Sequence, residues 1–226
     1  MSAFPFDMVG FDLDGTLLDT SADLAAALNH ALYLVGRAPL SVAQVMPMVG
    51  RGTRFMLERG LKATGGSDPE MLERLYPELL AYYDTHIADG TLPYPGLIEA
   101  LDALEARGVT LAIVTNKLER LAVKLVETMG LAQRFRTVIG GDTMGPGNAK
   151  PSAAPILEMI RRCGGGRAAF VGDSIFDMGA ARNAGIPAIA VSFGFPIQPL
   201  EELGADAVID HFNELVPTLE RMGADA

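Results

Sequence analysis

Two aspartates, Asp12 and Asp14, stand where the apolar run Met8-Val9-Gly10-Phe11 gives way to Gly15-Thr16. The run reads as a buried strand, so the pair falls at its end. Burying one carboxylate is costly and burying two without partners is worse, so the pair calls for a cation or a solvated mouth. Alone, Asp-x-Asp-Gly reads as a polar strand end with an Asp-Gly turn. Three further polar groups change the balance: Thr115-Asn116 after the run Val109–Val114, Lys150 beyond a Gly-rich loop, and Asp173 with Asp177 after Ala168–Val171. Each has a plain local explanation, as an N-cap, a solvated loop lysine or a turn. In a parallel α/β sheet all of them fall on the one edge where ligands bind.

Together they are what phosphoryl transfer requires. A carboxylate such as Asp12 is a competent nucleophile toward phosphorus. Asp14 is placed to protonate a leaving oxygen and then to deprotonate a water. The Thr115 hydroxyl, the Asn116 backbone amide and the Lys150 ammonium can hold the non-bridging oxygens. Asp12, Asp173 and a backbone carbonyl are hard oxygen ligands that suit magnesium. Asp177, one helical turn past Asp173, can reach the metal's waters or hold Lys150.

The elements that must place these groups follow from periodicity. Thr20-Ser21-Ala22-Asp23 reads as a capping box before a helical stripe of Leu24, Leu28, Leu32 and Val35. Ser41 caps a short helix that stops at Pro47, and Val49-Gly50-Arg51-Gly52 is a turn before a helix over Thr53 to Ala63. Asp68-Pro69 opens another helix with Leu72, Leu75, Leu79 and Tyr82 inward, which Pro77 should kink or break. Residues 19–91 thus form an all-α insertion with no convincing strand. After the stiff connection Leu92-Pro93-Tyr94-Pro95-Gly96, helix and strand alternate. Helices carry Leu97, Leu101 and Leu104, then Leu118, Leu121, Leu125 and Met129, then Ile156, Leu157 and Ile160. A last one runs on to Gly185, and strands are expected at 109–114, 137–139, 168–171, 188–191 and 207–209. The fold expected is a doubly wound parallel α/β core, residues 1–18 and 92–226, with a helical cap over 19–91.

Composition narrows the partners. A formal charge of −10 argues against nucleic acid, and demands that a metal or local lysines reverse the field for an anionic substrate. No apolar run approaches membrane-spanning length, and the N-terminus lacks a secretion signal. The single cysteine, Cys163, cannot form an internal disulfide, which fits the cytoplasm. His30, His86 and His211 are scattered and match no ligand spacing, and the 11 methionines read as core filler.

The sequence resembles the haloacid dehalogenase superfamily over essentially its whole length. The family's four motifs occur in order: Asp12 to Thr16, the strand ending in Thr115, Lys150 before Pro151, and Gly172 to Asp177. The aspartate at Asp14 is that of the family's phosphatases and mutases; dehalogenases and phosphonatases lack it. Phe11 to Ser21, Asp23 to Asn29, Val49-Gly50-x-Gly52 and Gly185-Ile186-Pro187 look most like the bacterial phosphoglycolate phosphatases. The resemblance implies a magnesium-dependent phosphatase acting on a small phosphorylated metabolite, 2-phosphoglycolate foremost, as a monomer or homodimer. Asp12 would be the nucleophile and Asp14 the acid and base. Asp12, Asp173 and the Asp14 carbonyl would hold the metal, and Asp177 would support it. Arg51 in the cap turn is the expected grip for a substrate carboxylate, while Arg54 reads as a solvated charge. Two rivals stand beside this reading: a sugar phosphomutase with the same constellation, and a regulatory module on an inactive core.

Overall fold

A computed structural model describes residues 4–195 and 198–224. Six strands form one parallel sheet in the order β5-β4-β1-β6-β7-β8. They are β1 (Met8–Phe11), β4 (Thr110–Val114), β5 (Phe135–Ile139), β6 (Ala168–Gly172), β7 (Ala188–Val191) and β8 (Ala207–Ile209). Every residue of β1, β6 and β7 is buried, because helices cover both faces of the sheet. Alternation sorts β1 between the two layers: Val9 and Phe11 face one apolar cluster and Met8 the other. Gly10 takes no side chain because Met159 and Phe170 occupy the space a Cβ would need.

The helices of the core are α5 (Leu97–Glu105), α6 (Glu119–Thr128), α7 (Ala154–Arg162), α8 (Ile175–Ala184) and α9 (Leu215–Ala224). Leucines of α5, α6 and α9 join the Val9 side, while Ile156 and Met159 of α7 and Met178 of α8 join the Met8 side. Strand β1 pairs in parallel with β4 on one flank and β6 on the other. It is therefore the point where strand order reverses, and its carboxyl end opens onto the ligand crevice.

Between β1 and α5 lie α1 (Ser21–Tyr33), α2 (Val42–Val45), α3 (Thr53–Ala63) and α4 (Pro69–Thr85). Leu24 and Leu28 of α1, Leu57 and Leu61 of α3, and Leu75 and Leu79 of α4 bury against one another in a cluster continuous with the core. Gly60 lets α3 approach α1, since a Cβ there would strike the Leu28 side chain.

Several local expectations are corrected. The capping box at Thr20 does not form: the Thr20 hydroxyl turns to Asp14. Asp23 accepts instead from the Gly90 amide at 2.9 Å and the Thr91 hydroxyl at 2.6 Å, tying the start of the insertion to its end. The boxes that do form are Ser41 with Gln44 and Ser174 with Asp177. Pro77 does not interrupt α4; Pro77 and Glu73, whose carbonyl loses its bond, are both on the exposed face, where water can replace the partner. Leu75 and Leu79 of α4 face inward as expected, joined by Tyr83, while Leu72 and Tyr82 are only half-buried. Leu157 is exposed on α7. The insertion is also bracketed by a short antiparallel pair, β2 (Leu18–Asp19) with β3 (Leu92–Pro93), where only a stiff connection at Leu92 to Gly96 was expected.

Candidate active site

Asp12 follows β1 directly, and its amide donates to the Val171 carbonyl at 2.9 Å, continuing the sheet by one rung. The chain then turns back through Gly15, whose φ of +84° is one that glycine adopts without strain. A Cβ on Gly15 would strike the Asp173 carboxylate and Phe195. Gly15→Ala is therefore expected to cost about 1–3 kcal/mol of stability from the left-handed backbone alone. It should also displace Asp173 and weaken divalent-cation binding, readable by calorimetry.

Three buried carboxylates converge above this turn. Asp12, Asp173 and Asp177 each present an oxygen within 4.8 Å of the others. Lys150, itself 5% exposed, lies among them, 2.8 Å from Asp12 Oδ1 and 2.6 Å from Asp177 Oδ1. Its Nζ donates to Asp177 and to the Val114 carbonyl. It meets Asp12 Oδ1 as an ion pair without hydrogen-bond alignment, so that oxygen has no donor. Asp177 Oδ2 accepts from the Ser174 amide and hydroxyl, which holds it against α8. Asp173 Oδ2 accepts from the Phe195 amide at 2.7 Å.

One ammonium cannot balance three buried carboxylates. Burial pushes Asp12 up to about 6, against the attraction of Lys150, and Asp177 adds repulsion. Burial, then the charges of Asp177 and Asp12, raise Asp173 well above the ordinary carboxylate range. Lys150 is raised as well, but for the opposite reason: its carboxylate partners favour the charged form and outweigh burial. A hard divalent cation fits this site, because the uncompensated charge and the donor-free oxygen of Asp12 are what it would satisfy.

Asp14 has different company. Lys117 donates to Asp14 Oδ1 at 2.8 Å and Oδ2 at 3.0 Å, and the Thr20 hydroxyl donates to Oδ1 at 2.8 Å. The same ammonium donates to the Tyr83 hydroxyl of α4 at 2.7 Å. Lys117 is raised by Asp14 and Tyr83 against the opposing effect of burial, and burial pushes the Tyr83 hydroxyl up to about 12.

The remaining polar residues link core and insertion. The Asn116 side-chain amide donates to the Gly50 carbonyl at 2.9 Å and the Lys150 carbonyl at 3.1 Å, and its oxygen accepts from the Lys150 amide. Thr115 is buried, and its hydroxyl accepts from the Lys117 amide at 3.2 Å. Asp12, Asp14, Thr115, Asn116 and Lys117 line a cavity of about 30 Å³ together with residues of the insertion, among them Leu24, Thr53 and Met56.

The expected site residues thus meet at one sheet edge, Arg51 excepted. Arg51 is exposed and lies over Phe55 at 4.7 Å and Phe176 at 5.7 Å. It lines an outer groove of about 410 Å³ shared with Asn116 and Lys150. Arg54 is a surface charge paired with Glu73. His30 and His86, distant in sequence, stack on the two sides of Tyr82 at 4.4 Å each, away from these groups. Sequence reasoning missed Lys117, Thr20, Tyr83 and the Phe195 amide. Lys117 directly follows Thr115-Asn116, and that adjacency was the available signal.

Comparison with known proteins agrees with this geometry. A family model described as haloacid dehalogenase-like hydrolase matches residues 9–191. A phosphoglycolate phosphatase of Agrobacterium fabrum is 44% identical over 212 residues, 92% of this chain and 90% of that protein. One from Caulobacter vibrioides is 42% identical, over 90% of this chain and 86% of its own. A crystal structure from Haemophilus somnus, described as a predicted phosphoglycolate phosphatase, superposes with a TM-score of 0.88 at 28% identity. That superposition covers 95% of this chain and 98% of the other. Matched this way in both sequence and fold, the chain belongs to the haloacid dehalogenase-like hydrolases.

Proposed function

We propose that this hydrolase is a magnesium-dependent phosphatase whose substrate is 2-phosphoglycolate, with residues 19–91 serving as a cap over the strand ends. The observation that carries the reading is the small, partly open cavity, about 30 Å³, which Asp12 and Asp14 both line. Such a space suits a leaving group of a few atoms, and the named relatives are phosphoglycolate phosphatases at 44% and 42% identity.

The chain's own groups divide the work. The Asp12 carboxylate attacks phosphorus, forming an aspartyl-phosphate as the ester oxygen departs. Asp14 gives the proton that the leaving alkoxide needs, then takes one from the water that hydrolyses the aspartyl-phosphate. Phosphate leaves and Asp12 is regenerated. Thr115, the Asn116 amide and Lys150 hold the non-bridging oxygens throughout. Magnesium on Asp12, Asp173 and the Asp14 carbonyl would neutralise phosphoryl charge, and Asp177 fixes Lys150 beside it. Metal and lysines together answer the chain's formal charge of −10.

Phosphate release from a panel of small phosphomonoesters tests the reading. 2-Phosphoglycolate should give the highest kcat/KM with magnesium, and chelation or replacement by calcium should remove activity. Conversion of a sugar phosphate to its isomer without phosphate release would instead mark a mutase.

Arg51, on the wall of the groove next to the cavity, supplies the carboxylate grip in this proposal. Arg51→Ala is expected to lower kcat/KM for 2-phosphoglycolate by about 1.5–3 kcal/mol, the scale of a charged hydrogen bond. An ester without a carboxylate should be nearly unaffected; equal losses on both would assign Arg51 to cap structure.

A further inference from the structure

Lys117 is the buried cation that the reaction above leaves without a task. Its side chain is 1% exposed, and an ammonium has three donors. They are directed at Asp14 Oδ1 at 2.8 Å, Asp14 Oδ2 at 3.0 Å and the Tyr83 hydroxyl at 2.7 Å. Two of the three hold both oxygens of Asp14, so Lys117 acts through Asp14. Tyr83 comes from α4 of the insertion and is fully buried, and its ring also lies against the ammonium, 4.6 Å from Nζ to the centroid. Thr20, at the start of the insertion, donates a further hydrogen bond to Asp14 Oδ1 at 2.8 Å. Proton transfer depends on the carboxylate standing within hydrogen-bond reach of first one oxygen and then another. A freely rotating carboxylate would meet that demand only part of the time.

We propose that Lys117, braced by the Tyr83 hydroxyl, is a positioning residue that aims the Asp14 carboxylate, so that docking of the inserted helices is felt directly at the proton-transfer group. The proposal rests on the assignment of Asp14 as acid and base. It separates Lys117 from Lys150: Lys150 faces the transferred phosphoryl group, and Lys117 serves only the proton.

The test compares two phosphoryl donors of similar size, an ester and an acyl phosphate, in single-turnover phosphoryl transfer with magnesium-loaded enzyme. The alkoxide of 2-phosphoglycolate must be protonated as it leaves, whereas the acetate of acetyl phosphate departs without a proton. Lys117→Met should slow transfer from 2-phosphoglycolate about 100-fold and leave KM and transfer from acetyl phosphate within about threefold. Tyr83→Phe, which keeps the ring packing, should show the same selectivity at about fivefold. Thermal unfolding of each variant confirms that folded protein is compared, and if Lys117→Met does not fold, the ratio for Tyr83→Phe decides. Equal slowing on both donors, or none on either, overturns the brace while the phosphatase reading survives. A wild-type protein inert to both donors overturns the phosphatase reading and the brace with it.

Discussion

Asp12→Asn protein is expected to release no phosphate at steady state and, free of metal, to melt at a higher temperature than the wild type. The first effect follows from chemistry: an amide cannot form the aspartyl-phosphate, and loss of a nucleophile costs on the order of 10⁴-fold or more. The second follows from burial. Asp12 rises from 3.8 to about 6 in the folded protein, because desolvation and Asp177 outweigh Lys150. The folded state therefore binds this proton more tightly than the unfolded state. Its contribution is fully present below the unfolded value and is lost as pH rises through the folded one, between about 4 and about 6. At neutral pH the ionised Asp12 weighs against folding by on the order of 3 kcal/mol, since each tenfold change in proton affinity is worth about 1.4 kcal/mol. The amide of the Asp12→Asn variant carries no such charge, so that protein should gain several degrees in Tm at pH 7 and little at pH 4. Magnesium should shrink or reverse the difference. A variant less stable than wild type at pH 7 without metal would show that the Lys150 pair dominates.

Lys150→Met should have the opposite sign and a comparable size. Lys150 contacts both Asp12 and Asp177, and among the described residues no other lysine or arginine forms an ion pair with either. Removing it leaves Asp12, Asp173 and Asp177 crowded and buried without compensation. Breaking a buried pair in this way costs about 3–5 kcal/mol, a large share of the stability of an ordinary domain. The metal-free variant should be largely unfolded or aggregated at pH 7. Lower pH, which protonates the carboxylates, and added magnesium should each restore folding in part. A Lys150→Met protein as stable as wild type at pH 7 without metal would mean that the carboxylates are already protonated or solvated. Activity should be lost even where folding is restored, because the proposed reaction assigns Lys150 to the phosphoryl oxygens.

Asp12, Thr115 and Asp173 were legible in sequence because each stands at the end of an apolar run. Asp12, Thr115 and Asp173 are the first polar residues after strands that helices cover on both faces, and such strands leave side chains free to do chemistry only at their ends. The helix over Thr53–Ala63 and the strands Ala188–Val191 and Ala207–Ile209 were legible for the same reason, as uninterrupted periodicity between breakers. Partner choice was not. Asp23 has the spacing of a capping box, yet it binds Gly90 and Thr91 some 67 residues away, because chain closure offers it better donors than the helix end does. Lys117 meets Asp14 across 103 residues, a contact made by the pairing of β1 with β4, and Tyr83 across 34, a contact that exists only once the insertion docks on the core. Arg51 shows the same limit from the other side. Its place in a glycine-flanked turn was readable, but its approach to Phe176 depends on where α8 lies.

The covalent role of Asp12 is the centre of the account, and rapid acid quench followed by mass spectrometry tests it most directly. Magnesium-loaded wild-type protein mixed with 2-phosphoglycolate should gain the mass of one phosphoryl group, mapped to the peptide carrying Asp12, at a rate no slower than kcat. The Asp12→Asn protein should gain none. Turnover of 2-phosphoglycolate with no adduct on that peptide, or undiminished turnover by Asp12→Asn, would contradict it.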